Sequence, residues 1–404
     1  MKSFLLCIFF ISSILASPLQ DAIDNASAYS TIKLSPLIYS GDITINKPLT
    51  IISATDKKAT IQGSGLGNVI NINSSDVTLK NLNILGSGGK MYELNSAIYI
   101  SKASNIKIDG CNIKDSLYGI NMEMVKNSIF SNNYITSKNL PISLRGDALK
   151  IYYSHNNIFK DNTIEKSRDV TLDYSHNNIF EKNIFKDNRF ASHISLSKKN
   201  IFKNNLYKHN SVSIMLMGAK DTNVTANTIK SSDGAAGIGV MIGGVSNFRF
   251  EKNIVKFNAK AIYIDGKEKA KGMKRYISYN DISYNGEAIH FHASIKDNNI
   301  THNKIYGNID DIVKDIEGRF SKTNFVEYNY WDNYMGFDRD TNNIGDNSHQ
   351  VYQYADQLWH HNHKLKFFYA SPIMSLMNFL AKLAPFIEPN LLMEDKKPIV
   401  EIEK

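Results

Sequence analysis

Short alternations of apolar and polar residues organise this chain. Val212-Ser213-Ile214-Met215-Leu216 alternates, as do Ile262-Tyr263-Ile264 and Ile289-His290-Phe291. A period of two built on β-branched residues marks a strand with one face buried. These strands repeat. Tyr153-Ser154-His155-Asn156-Asn157-Ile158-Phe159 returns 21 residues later as Tyr174-Ser175-His176-Asn177-Asn178-Ile179-Phe180. Asn followed by an apolar pair recurs at Asn112, Asn133, Asn162, Asn183, Asn205, Asn227, Asn253, Asn280 and Asn303, at spacings of 21 to 29 residues. A second Asn often follows five residues later, at Asn188, Asn210, Asn258, Asn285 and Asn308. A repeat of this length means a solenoid. No unit carries a long apolar stripe at helical spacing, so helical repeats are excluded, and the dense leucine pattern of leucine-rich repeats is missing. The expected fold is all-β, a right-handed parallel β-helix with one coil per repeat. The anchor Asn residues are expected at the corners in left-handed conformation, their amides stacked in a hydrogen-bonded ladder.

The pattern predicts four segments. Residues 1–16 read as a signal peptide: Lys2, then an apolar run from Phe4 to Leu15 too short to span a bilayer, then Ala16-Ser17. An exported, periplasmic protein with no transmembrane segment in its mature chain is the expectation. Residues 17–41 form an N-terminal cap, where Leu19, Ala22, Ile23 and Ala26 share a helical face. Residues 42–319 are the β-helix, with loops before Asn162, near Gly234–Gly237 and at Lys267–Lys274. Residues 320–404 form a C-terminal capping and docking segment, irregular and partly helical. In it Ile373, Met374, Met377, Leu380, Ala381 and Ala384 share a helical face that Pro385 ends. This tail either closes the last coil or docks to a membrane partner through Met374, Met377, Leu380 and Phe386.

Composition narrows the chemistry. In 404 residues, 42% are hydrophobic and 21% charged, which excludes global disorder. The net charge of +8 is spread along the chain, so nucleic acid is not an indicated partner. Cys7 lies in the leader and Cys111 is the other cysteine. No internal disulfide or Cys-based zinc site follows. Gly63-Ser64-Gly65-Leu66-Gly67 lacks the lysine of a phosphate loop and reads as a turn.

Strand parity assigns the faces. With Val212, Ile214 and Leu216 inward, Ser213, Met215 and Met217 face outward. Ile214 falls in register with Val240, so Met215 lies one coil from Met241. Ile194 and Leu196 inward place His193 outward, and Ile289 and Phe291 inward place His290 and His292 outward. One face thus offers His193, Met215, Met217, Met241, His290 and His292. Met122 and Met124 fall with the inward set. Thioether and imidazole suit Cu(I), so the strip reads as a transient copper site. The competing reading is a face covered by the C-terminal segment or a partner, with methionine as adaptable packing. His155 and His176 should stack as a solvated turn ladder. His360, His361 and His363 lack a metal-helix spacing. Asp338, Asp340, Asn342 and Asp346 alternate as in calcium loops, but Asn343 stands where glycine is preferred. Polysaccharide lyases and epimerases need clustered carboxylates with a basic residue. Here Asn121, Glu123, Lys150, Thr171 and Asp173 are too scattered, so an extracellular carbohydrate-active enzyme is the alternative and a non-enzyme the first reading.

The C-terminal block carries a resemblance. Asn329 through Asp340, then Ile344-Gly345-Asp346, Tyr354-Ala355-Asp356-Gln357-Leu358-Trp359, Phe367-Phe368-Tyr369-Ala370-Ser371-Pro372 and Leu383-Ala384-Pro385-Phe386 together resemble the NosD family. The likeness extends over the solenoid. It implies a periplasmic accessory protein for maturation of nitrous oxide reductase. Its implied partners are an ABC transporter membrane subunit with its ATPase, a copper-chaperone lipoprotein as donor, and the apo reductase whose copper–sulfide centre is assembled. Asn342-Asn343 departs from an Asp-Gly common in the family, which weighs against calcium there.

Overall fold

A computed structural model of the chain describes residues 18–234, 236–265, 274–292, 295–315, 323–353, 368, 371–383 and 389–402. Each coil but the last contributes one short strand to each of three parallel sheets of 13, 13 and 12 strands. The first sheet runs from Thr31–Leu34 to Phe325–Glu327, the second from Ile38–Ser40 to Tyr330–Trp331, and the third from Ile43–Ile45 to Asp310–Lys314. Coils therefore begin inside the 17–41 segment and continue past residue 319.

Inward side chains of like type stack along the axis. Phe130, Phe159, Phe180 and Phe202 lie in one column, with ring centroids 4.8, 4.5 and 4.9 Å apart. Phe185 stacks on Tyr207 at 4.7 Å. Each such ring is fully buried, a burial worth about 1.5–3 kcal/mol. Helix α1, Pro18–Asn25, buries Leu19 and Ile23 against this core and leaves Ala22 exposed. Gln20 ties the helix to the first coil by exchanging two hydrogen bonds with the backbone of Thr44.

The asparagine ladder is present, with two differences from expectation. From Asn133 to Asn329, each side-chain amide donates to Oδ1 of the Asn one coil on. Its second N–H reaches a backbone carbonyl of the preceding coil, as from Asn183 to Phe159 at 2.9 Å. Asn112 is not a rung. Cys111 holds that place and its backbone N–H donates to Asn133 Oδ1. Nor do the rungs adopt left-handed φ. The residue before each does: the exposed Asn132, Asp161, Lys182, Asn204 and Ala226 have φ of 54 to 57°. A rung must aim its own N–H along the axis, so the bend falls on its neighbour. The five-residue partners form a further ladder, Asn188 to Asn210 and Asn258 through Asn285 to Asn308.

The tail divides in two. Strand Asn390–Asp395 pairs antiparallel with His349–Gln353 and buries Leu392 and Met393. Its Asp395 carboxylate accepts the N–H and amide of Asn329, at 3.0 and 2.8 Å, and Trp331 Nε1 at 3.0 Å. It thus fills the place of the next rung. Helix α2, Pro372–Leu383, by contrast exposes Ile373, Leu376, Phe379, Leu380 and Leu383. Among the described residues no helix is long and apolar enough to cross a membrane.

Candidate functional site

The outer face of the third sheet is where parity places the candidate ligands. Residues in register form one file along the axis: Asn121, Lys150, Thr171, His193, Met215, Met241, Tyr263 and His290. A second file, two residues on, holds Glu123, Tyr152, Asp173, Ser195, Met217 and Gly243. Ile214, Leu216, Val240 and Ile242 are fully buried, whereas Met215, Met217, Met241 and His193 are half-buried on the outer side. The Met215–Met241 register is as expected. Ser213 is not outward: it is buried, its hydroxyl 3.0 Å from that of Ser232.

His193, Met215 and Met241 stand on three consecutive strands, which lie about 4.8 Å apart. Met217 flanks them. Its thioether lies over Gly243, where a Cβ would come within 2.8 Å of Sδ. His193 Nε2 is 3.3 Å from Ser195 Oγ, and its ring meets Phe190 edge-on. Burial holds the His193 pKa below its ordinary value, so at neutral pH the ring is uncharged and keeps a lone pair for a metal.

His290 and His292 do not join this group. Tyr263 separates Met241 from His290, and its ring stacks on His290 at 4.9 Å. His290 is buried, not open. Its Nδ1 bonds the Glu287 carboxylate and its Nε2 lies 3.0 Å from Asp315 Oδ2. His292 Nδ1 lies 3.1 Å from the same oxygen, and Lys260 Nζ is 2.7 Å from Glu287. Burial opposes the charge on His290, but the Asp315 and Glu287 carboxylates overcome it and raise the pKa. An imidazolium has no lone pair to offer copper. Parity assigns the side of a sheet correctly here, but cannot see partners brought by later coils.

The other assignments fare unevenly. Met122 is in the core, but Met124 and Leu196 sit past their strands in left-handed conformation and are exposed. His155 and His176 stack at 4.9 Å, and each Nδ1 accepts a backbone N–H from the next coil. In the acidic loop, Asp338 accepts the N–H of Asn342 and Asn343, Asn342 that of Ile344, and Asp346 that of Arg339. These oxygens close the loop on itself. Among the described residues no group of three or more His, Cys, Asp or Glu side chains is placed to hold a metal ion. A thioether-based site falls outside that set. Met377 and Leu380 of α2 are exposed, and Phe386, His360, His361 and His363 lie outside the described residues.

Beyond Thr171 the same face opens into a groove of about 530 Å³ lined by Tyr99, Asn121, Glu123, Lys150, Tyr152 and Asp173. Tyr99 Oη donates to Glu123 at 2.9 Å. Sequence reasoning missed Tyr99 and Gly243. Once Met217 and Asn121 are placed in their files, counting one coil along reaches both.

A family model described as periplasmic copper-binding protein (NosD) matches residues 131–336. The Pseudomonas aeruginosa protein named "Probable ABC transporter binding protein NosD" is 25% identical over 368 residues, 86% of this chain and 83% of that one. Among solved structures, the mannuronan C-5 epimerase A-module of Azotobacter vinelandii aligns with a TM-score of 0.59 at 12% identity, over 76% of this chain and 92% of its own. A mannuronic acid specific polysaccharide family 6 lyase from human gut microbiota aligns with a TM-score of 0.56 at 13% identity, over 78% and 84%. At such identities these two share the fold alone.

Proposed function

The chain belongs to the NosD family of periplasmic copper-binding proteins, and from that premise we propose that it is a non-enzymatic carrier that passes copper during maturation of nitrous oxide reductase. The observation that carries this reading is the placement of His193, Met215 and Met241 on consecutive coils of an outward face, with Met217 beside them. Soft thioethers and a neutral imidazole favour Cu(I). A site on a lateral face is open on one side, so the ion is held weakly and exchanges with a partner. Copper is cargo here, received from a copper-chaperone lipoprotein and delivered to the apo reductase. Residues 1–16 direct the chain to the periplasm. Docking to the membrane subunit of an ABC transporter falls to the exposed apolar side chains of α2, and the transporter's ATPase supplies the energy.

Cu(I) titration against a competing chelator tests the site. Replacing His193, Met215, Met217 and Met241 by serine should abolish binding, whereas serine at His290 and His292 should leave it intact. Unchanged binding in the first variant refutes the site and leaves family membership standing. The Lys150 groove, with carboxylates and tyrosines around a cation, favours a second reading as a carbohydrate-active β-helix. Release of unsaturated product from uronate polymers would support it.

A further inference from the structure

One corner of the rod carries two parallel files that the copper reading does not use. In the first, Lys102, Met124, Tyr153, Tyr174, Leu196, Gly218 and Gly244 follow one another coil by coil, the N–H of each of the first six donating to the carbonyl of the residue just before the next. All have φ between 45 and 62°. Left-handed backbone disfavours bulky side chains, and glycine holds the same corner at two coils. Four consecutive coils nevertheless keep large apolar groups there, about 40% exposed. Two residues on runs the second file: Lys126, His155, His176, Lys198 and Lys220. The residues between the files, from Val125 to Ala219, are buried. A groove of about 440 Å³ opens where the files meet, lined by Lys102, Met124, Lys126, Tyr153 and His155.

Two details identify what such an edge fits. None of Lys102, Lys126, Lys198 and Lys220 makes an ion pair with a described residue, whereas in a file of the second sheet Lys186 and Lys256, though not Lys208 and Lys230, are matched by Asp187 and Asp281 at 3.2 and 2.9 Å. The first file thus runs beside three lysines, Lys126, Lys198 and Lys220, that no described carboxylate pairs directly, although Glu123, Asp173 and Asp221 stand one residue from the files. Second, the Tyr153 and Tyr174 rings stack on each other at 5.1 Å, 7° from parallel, with Tyr152 edge-on to both. Each ring covers one face of the other and stays about 40% exposed, an apolar body with a hydroxyl tip, the amphipathic form that suits a membrane interface. His155 and His176 likewise use Nδ1 within the ladder and leave Nε2 as an outward donor.

We propose that this corner is a lipid-contacting edge. Met124, Tyr153, Tyr174 and Leu196 enter the headgroup region of an anionic phospholipid surface, and Lys126, Lys198 and Lys220 pair with its phosphates. The rod then lies along the membrane, and the contact is independent of copper.

Co-sedimentation of the mature protein with vesicles tests this, in a background where Leu376, Phe379 and Leu380 are serine so that α2 does not contribute. Phosphatidylcholine vesicles containing phosphatidylglycerol should bind the protein in a salt-sensitive manner, and phosphatidylcholine alone should not. A Lys126→Gln, Lys198→Gln, Lys220→Gln variant should bind roughly 100-fold more weakly, at about five-fold per lysine. A Tyr153→Ser, Tyr174→Ser variant should lose the residual binding at high salt. Circular dichroism checks both folds, and the lysine variant decides alone if the tyrosine variant misfolds. Equal binding to neutral vesicles, or an unchanged lysine variant, overturns the proposal. So does a uronate polymer that displaces vesicles while the tyrosine variant binds it as the wild type does, since the edge would then serve a polysaccharide.

Discussion

Replacing Asn183 by alanine should unstitch the rod near its middle. Asn183 Oδ1 accepts both the backbone N–H and the amide of Asn162, at 3.0 and 2.9 Å. Its own amide donates to the Phe159 carbonyl at 2.9 Å and to Asn205 Oδ1 at 3.0 Å. The site is 1% exposed, so water does not replace what is lost. Asn205 Oδ1 keeps the Asn183 backbone N–H. Two donors of Asn162 are left unpaired, and the Phe159 carbonyl loses its side-chain donor. At about 1–3 kcal/mol for each buried unsatisfied group, the loss is roughly 2–5 kcal/mol after partial relaxation. Asn204, the neighbour that takes the left-handed bend, is exposed, and alanine already occupies its place one coil on at Ala226. Asn204→Ala should therefore shift stability by less than about 1 kcal/mol. Urea unfolding followed by circular dichroism separates the two. Equal effects, or a loss below about 1 kcal/mol for Asn183→Ala, would show that the ladder contributes no more than an ordinary turn.

Two other outcomes follow from particular contacts. Burial beside Trp331 holds the His349 pKa down to about 4. Between pH 6.5 and 4 the unfolded chain therefore binds the extra proton. Stability attributable to this ring is full above pH 6.5 and falls by about 3 kcal/mol as pH drops to 4. His349→Phe should remove that dependence, read as the difference between variant and wild-type unfolding curves across the range; parallel curves would refute it. Glutamate at Leu376, Phe379 and Leu380, each more than half exposed, should abolish co-purification with the transporter's membrane subunit while leaving the circular dichroism spectrum unchanged. Retained co-purification would remove α2 from the docking surface.

Much of this architecture was legible because one face of each strand is buried. Alternation in Val212–Leu216 and Ile262–Ile264 is a direct record of which side meets the core, and it places Met215 over Met241 before any coordinates. The method fails where a strand ends. Met124 and Leu196 continue the count but not the pleat, because the chain has already turned. It fails at Asn112, where a buried Cys111 takes the rung and the Asn beside it mimics the motif. It also fails at His290. Parity gives the side correctly, but Glu287 is three residues away on the same strand and Asp315 one coil on, and their carboxylates turn an open ligand into a closed ion-pair network. Ionic partners follow no period, so alternation does not disclose them.

The Asp395 carboxylate at the end of the asparagine column has a consequence for self-association. Every rung before it both takes and gives a proton, so a column ending in asparagine would present an open donor to the next molecule. Asp395 when ionised only takes, and its oxygens already receive Asn329, Trp331 and the Lys397 backbone. The residue is 1% exposed, so the column ends inside the molecule and offers no open rung to a second one.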